Sequence, residues 1–250
     1  MIINYMNLLR LILLVFIWIT PVYGNSIYNL IKIPNLEIYE INTENRLKYF
    51  YAKSSFRLGV QKNIICENSN KKDLDDKYKS IYKNLNRYSY SFLKKINLKY
   101  IVLCENLSIS GINTAGIPDN VMKTLILDIK FDQKYFERVI HHEVFHIIND
   151  QHKELFNENE WKKFNDLKFK YAKCSTCTEN LGLDKYEKTK GFFTEYSKST
   201  VSEDMAEVYS HIIYLKAEKI KQIRNLDRIL NKKISYIENK IKKIDNSFIF

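Results

Sequence analysis

Residues 136–148 carry apolar side chains at Phe136, Val139, Ile140, Val144, Ile147 and Ile148, a three-and-four spacing that predicts an amphipathic helix with Asp132 as its cap. On the face beside that stripe lie His142 and His146, four residues apart, with Glu143 between them in sequence. This arrangement constrains the chain strongly. Two imidazoles one turn apart on a rigid rod can both reach one Zn²⁺ at about 2.0–2.1 Å. Glu143 then points to the side where a water on such an ion would lie, and can take its proton. His141 is offset by about 100° around the helix and is expected to be a satisfied surface or supporting histidine. His152 and His211 call for the same caution.

A catalytic zinc needs a third protein ligand and one open position. A second helix is expected from near Val201, capped by Thr200, with Glu203 and Asp204 in its first turn and Ala206, Val208, Tyr209, Ile212 and Leu215 continuing its pattern. Glu203, Glu207 and His211 share one face, so each can look back at the metal, whereas Asp204 points aside. A carboxylate left over from ligation can instead accept the second N–H of a ligating histidine and orient it.

Around these two helices the sequence predicts a long helix over residues 74–96, a short strand at 100–104, a loop at 108–120 marked by Gly111, Gly116 and Pro118, and a strand at 123–129. Residues 149–194 form a long excursion, and 220–244 read as one or two amphipathic helices packed on the body. Only six Gly and three Pro among 250 residues, with 45% hydrophobic side chains, favour long periodic elements around a substantial core.

The first 24 residues read as an export signal: Arg10, an apolar run over 11–19, Pro21, and small residues before a cut after Gly24. The run is short for a membrane span, so a secreted chain is expected rather than one retained by an N-terminal anchor. Residues 25–60 then form a segment of uncertain structure and 61–250 the main domain. Export permits disulfides. Cys66 and Cys104 can bridge; Cys174 and Cys177 can form a local bridge, remain thiols or contribute to a metal site. The net charge of +11 comes with no nucleic-acid recognition motif, so no nucleic-acid partner is expected.

The strings "HHEVFH" and "EYSKSTVSEDMAEVY" together resemble the zincin metallopeptidases of the glutamate-ligand type (gluzins), in particular the lethal-factor-like branch and its relatives described as putative zinc-binding metallopeptidases. The resemblance covers residues from about 98 to the C-terminus. It implies an α+β, zincin-like metalloprotease fold: a small mixed sheet, an active-site HExxH helix and C-terminal amphipathic helices. It also implies one Zn²⁺ per chain held by His142, His146 and Glu203. Glu143 is then the general base, Tyr196 the hydrogen-bond donor to the developing oxyanion, and Glu207 a residue supporting a ligand. The family's downstream pattern, a Tyr followed after seven residues by a ligating Glu and after four more by a second Glu, falls on Tyr196, Glu203 and Glu207. In such enzymes an edge strand ahead of the HExxH helix pairs with an extended peptide, a role expected of 123–129.

The function expected is therefore hydrolysis of peptide bonds in a protein or peptide substrate by a secreted zinc metalloendopeptidase. A second reading is a zinc-binding extracellular interaction module with little or no turnover. A third is a basic surface-interaction protein acting through its C-terminal helices.

Overall fold

The computed structural model describes residues 35–120, 122–178, 181–185 and 190–250; the N-terminal run expected as an export signal lies outside them. Among the described residues, eight strands and seven α-helices follow in chain order: β1 (Leu36–Glu40), β2 (Lys48–Ala52), β3 (Phe56–Leu58), β4 (Ile64–Glu67), α1 (Lys71–Leu85), α2 (Tyr90–Lys95), β5 (Tyr100–Ile109), β6 (Ile112–Asn113), β7 (Gly116–Asp119), β8 (Thr124–Asp128), α3 (Gln133–Gln151), α4 (Glu158–Lys162), α5 (Val201–Tyr214), α6 (Ala217–Leu226) and α7 (Arg228–Ile244). The mixed sheet, the HExxH helix and the C-terminal helices make this the α+β architecture expected.

β5 is the spine of the sheet. Its first half pairs in parallel with β2 on one side and β8 on the other. Its second half pairs antiparallel with β4 and β6. Antiparallel partners close both flanks, β1 on β2 and β7 on β8. Side chains alternate between two cores as a strand's period of two requires. Ile101, Leu103, Leu125 and Leu127 enter the larger core beneath the helices, while Val102, Cys104 and Ile126 join Phe56 and Cys66 in a smaller one on the opposite face. Cys66 and Cys104 are bonded there.

Three expectations are corrected. The helix expected over 74–96 is two helices. Asn86 closes α1, and the Ser89 side chain accepts from Phe92 N at 3.2 Å to start α2. Tyr88 and Phe92 are buried on both sides of this break, so the apolar rhythm runs through it. The segment 108–120 is largely strand rather than loop. The strand over 123–129 is not an edge: β8 is buried at every position and paired on both sides.

The edge is β7, and among the described residues no strand pairs with its outer side. Pro118 is tolerated there because its nitrogen owes nothing to β8. Asp128 N donates to Ala115 O at 2.9 Å, and the alternation of an antiparallel ladder then turns Gly116 and Pro118 outward. Thr114 Oγ1 takes the outward Gly116 carbonyl at 3.1 Å.

On the helix face α3 lies against α5, and α7 packs on α5. The Asp132 and Thr200 side chains cap α3 and α5 as expected. The tail is two helices, separated at Asp227, which caps α7 by accepting from Ile229 N and Leu230 N. Its buried stripe of Leu230, Ile234, Ile237 and Ile241 belongs to the main core.

Candidate metal centre

α3 and α5 present their polar faces to one another across the floor of a cleft. His142 Nε2 lies 2.9 Å from Glu203 Oε2 and 3.1 Å from His146 Nε2, and the third side of the triangle, His146 Nε2 to Glu203 Oε2, is 3.2 Å. These donor atoms, two imidazole nitrogens and one carboxylate oxygen, form a cluster that can hold a metal ion. Their separations fit zinc. The edge of a tetrahedron built on bonds of about 2.0–2.1 Å is about 3.3 Å.

Each histidine is oriented from behind. His142 Nδ1–H donates to Glu207 Oε1 at 2.9 Å, a bond that fixes the ring with Nε2 directed into the triangle. Glu207 is wholly buried and held on every side: Arg138 donates to the same oxygen at 2.5 Å and Thr194 Oγ1 to the other at 2.7 Å. Burial alone would raise the Glu207 pKa, but the Arg138 charge and the His142 hydrogen bond hold it well below the usual carboxylate range. His146 Nδ1–H donates to Ser202 Oγ at 3.3 Å. Glu203 is also held low, its burial opposed by His146 and His142. Burial works against a charge on His142, yet its bonds to Glu203 and Glu207 push it up to about 10. Two buried carboxylates held ionised make a setting suited to positive charge, whether a proton on His142 or a metal ion.

Glu143 sits beside this triangle with no hydrogen-bonding partner among the described residues. Burial raises its pKa, partly opposed by His142 and His146. The close approach of β7 depends on Gly116, where an added Cβ would stand 2.7 Å from Glu143 Cγ and 3.1 Å from Ile126 O. Tyr196 lies in a short 3-10 turn just before α5, its ring 5.9 Å from the His142 ring. Burial, followed by the charges of Glu203 and Glu143, drives its pKa far above the ordinary phenol value, so the hydroxyl stays protonated.

The structure separates the candidates that the sequence left together on α5. Glu203 meets the two histidines, and Glu207, one turn on, backs His142. His211 is too far along the helix: its ring stacks on Phe193 at 4.2 Å and its Nδ1–H donates to Glu207 O at 2.7 Å. Asp204 does point aside, into a buried knot where it accepts from Trp161 Nε1 at 2.8 Å, Tyr171 at 2.5 Å and Lys233 Nζ at 2.6 Å. His141 is satisfied as expected but is fully buried rather than at the surface. Its Nδ1 accepts from Tyr88 at 2.7 Å and its Nε2–H donates to Asn84 Oδ1 at 3.1 Å. His152 is partly exposed and bonds Lys95 O at 3.1 Å. Arg138, Thr194, Ser202 and Gly116 escaped the sequence reading. Arg138 alone left a trace there, a basic residue one turn before His142 amid the apolar positions of α3.

The centre opens into a cleft of about 790 Å³. Gly116 and Pro118 of β7 line one side, and Ser175 and Thr176 line it from the excursion. These last two lie between Cys174 and Cys177, which are bonded to each other, so the CxxC is a staple in the cleft wall. All four cysteines are paired.

A mixed sheet with a cross-packed HExxH helix and a His, His, Glu cluster defines a metallopeptidase-type architecture. The family model described as "Putative zinc-binding metallo-peptidase" matches residues 73–246, and the chain belongs to that family. A crystal structure of a putative zinc-binding metallo-peptidase from Bacteroides caccae ATCC 43185 is 21% identical over 70% of this chain and 71% of that one, with a TM-score of 0.47. Among curated proteins, none matches the sequence.

Proposed function

We propose that the chain is a secreted zinc metalloendopeptidase of the glutamate-ligand type, close to the lethal-factor-like branch, that hydrolyses peptide bonds in protein or peptide substrates. The observation that carries this reading is the triangle of His142, His146 and Glu203 with the unpartnered Glu143 carboxylate beside it. These three residues would hold one zinc ion per chain. Zinc there would supply Lewis acidity, polarising a scissile carbonyl and making water easier to deprotonate.

The chain's own groups do the rest. Glu143, with its pKa raised by burial, takes a proton from the attacking water and delivers it to the leaving amine. Tyr196, kept protonated by its surroundings, donates to the carbonyl oxygen as charge develops on it. Glu207 keeps the His142 ring in the right tautomer and orientation. An extended substrate adds to the free edge of β7, where Gly116 offers outward backbone groups. Residues 61–250 form the catalytic unit and β1 and β2 extend its sheet. Export after removal of residues 1–24 is supported by the two disulfides. No described helix is long and apolar enough to cross a membrane.

The test is metal content by mass spectrometry of the mature protein, paired with a peptide-cleavage assay. One zinc per chain is expected, weakened in His146→Ala and Glu203→Ala, with Glu143→Gln retaining zinc while losing hydrolysis by at least ~100-fold. Zinc binding without hydrolysis of any peptide by wild type would make the chain an interaction module instead. A folded wild type that takes up no zinc would sink both readings.

A further inference from the structure

The cleft wall that carries Ser175 and Thr176 is closed by a bond that chemistry can undo. Cys174 and Cys177 are joined with their Cα atoms 5.0 Å apart, and Cys177 N donates to Cys174 O at 3.2 Å. Disulfide and hydrogen bond close the same four residues, so Ser175 and Thr176 are the two corners of one tight turn lining the cleft. The chain on either side of this turn is held independently of it. Before it, Tyr171 donates to Asp204 of α5 at 2.5 Å. After it, Gly182 O accepts from Tyr196 N at 3.1 Å, and Leu183 O from Arg138 Nη2 of α3 at 3.1 Å. Opening the disulfide therefore frees the corners and leaves both anchors, and the triangle of His142, His146 and Glu203, in place.

The two disulfides differ in access. Cys66 and Cys104 lie wholly buried in the smaller core, whereas Cys177 is exposed and Cys174 half-buried. A thiolate must reach the sulfur it attacks, so accessible disulfides are the labile ones and buried ones are structural. The two thiols released from the turn stand three residues apart, which makes re-closure an intramolecular step.

We propose that Cys174–Cys177 is a thiol–disulfide exchange site for an external dithiol, and that its reduction loosens the cleft wall and weakens peptide binding. The thiolate of the dithiol attacks the exposed Cys177 Sγ. The bond between the two cysteines breaks, and its electron pair leaves on Cys174 Sγ, which gains a proton. The second thiol of the dithiol then loses its proton and displaces Cys177 Sγ. Two electrons have passed to the protein, the reductant ends as a disulfide, and the two protons it gave up reside on Cys174 and Cys177. In the reduced turn the hydrogen bond from Cys177 N to Cys174 O is left to hold the corners, a weak constraint. A bound peptide has to re-order them, which costs affinity. The inference rests on the peptidase reading above and adds its regulation.

The zinc-loaded full chain is treated briefly with dithiothreitol under native conditions, freed of it by gel filtration and restored to full zinc content. One aliquot is alkylated with iodoacetamide and mapped by mass spectrometry, and another is assayed with a cleaved peptide. Label should fall on Cys174 and Cys177, with Cys66 and Cys104 labelled only after denaturation. KM should rise roughly tenfold with kcat little changed, and oxidised glutathione should reverse the rise. The double variant Cys174→Ser with Cys177→Ser should show the raised KM without reductant and no response to it. Fluorescence anisotropy of a labelled peptide on zinc-loaded Glu143→Gln gives a readout free of cleavage, and reduction should weaken binding by a similar factor. No label on Cys174 and Cys177 in the native chain, or label with KM and peptide affinity unchanged, overturns the exchange site and leaves the peptidase reading standing. A peptide affinity that falls on reduction, without cleavage by wild type, supports the exchange site and overturns the peptidase reading. Neither cleavage nor peptide binding in either redox state overturns both.

Discussion

Glu143 owes its position to an absence two strands away in the sequence. Gly116 has no side chain to occupy the space of Glu143 Cγ, and its φ is not in the left-handed region, so the constraint there is contact and not backbone strain. Gly116→Ala should therefore fold and keep its metal while displacing the carboxylate. We expect kcat to fall about 100-fold, the scale of a misplaced reacting group, with KM and zinc content little changed; a wild-type kcat would show that Glu143 accommodates the methyl. His141 and His211 are a different kind of residue, histidines kept neutral by burial. Desolvation lowers His141 to about 3 and His211 to about 4. Because their pKa values in the folded state lie below the unfolded value near 6.5, the unfolded chain binds more protons between those limits, and stability falls as pH falls through that window. For His211 the loss is about 3 kcal/mol at about 1.4 kcal/mol per pKa unit. Urea midpoints should decline as pH is lowered from 6.5 towards 4, less so in His211→Gln. A midpoint that stays flat down to pH 4 would mean that these rings are free to protonate in the native fold.

At the scale of elements, α5 is fastened from two sides. Glu203 and Glu207 face α3, while Asp204 between them faces away and is bonded by Lys233 of α7, Trp161 of α4 and Tyr171. Lys233 is buried with its ammonium over the Phe192 ring at 4.0 Å and bonded to Gly191 O at 2.6 Å, so α7 is tied to the turn that carries the Glu203 carboxylate. Lys233→Met should strand the Asp204 charge and cost about 3–5 kcal/mol, read as a lowered urea midpoint. The double variant with Asp204→Asn should recover much of that loss; a double variant whose loss is the sum of the two single variants' losses would mean the pair is not coupled. The same knot explains why α7 is part of the fold and not an appended basic helix: its apolar stripe and its one buried lysine both face inward.

For the whole molecule, two covalent closures act on different parts. Cys66–Cys104 joins strands 38 residues apart and closes the smaller core. By loop-closure entropy it should contribute about 4 kcal/mol, so reduction, or a Cys66→Ala and Cys104→Ala pair, should lower the thermal midpoint by many degrees. A shift of only one or two degrees would mean that the core, and not the crosslink, holds β4 to β5. Cys174–Cys177 closes only a short turn and acts locally on the cleft wall. The period of the sequence determined the helices α3 and α5, their caps, the histidine pair and the set of candidate donors facing it, because helix spacing and ligand spacing are both local. Chain order alone could not say which strand is the edge, where α1 ends, or which of Glu203, Glu207 and His211 meets the histidines. Those depend on how β7 pairs with β8, how Tyr88 reaches His141, and at what height α5 crosses α3, and each is fixed by contacts between residues far apart in the chain. The supports of the site, Arg138, Thr194, Ser202 and Gly116, were decided at that level too, since a hydrogen bond or a missing methyl acquires its role only from what packing brings beside it.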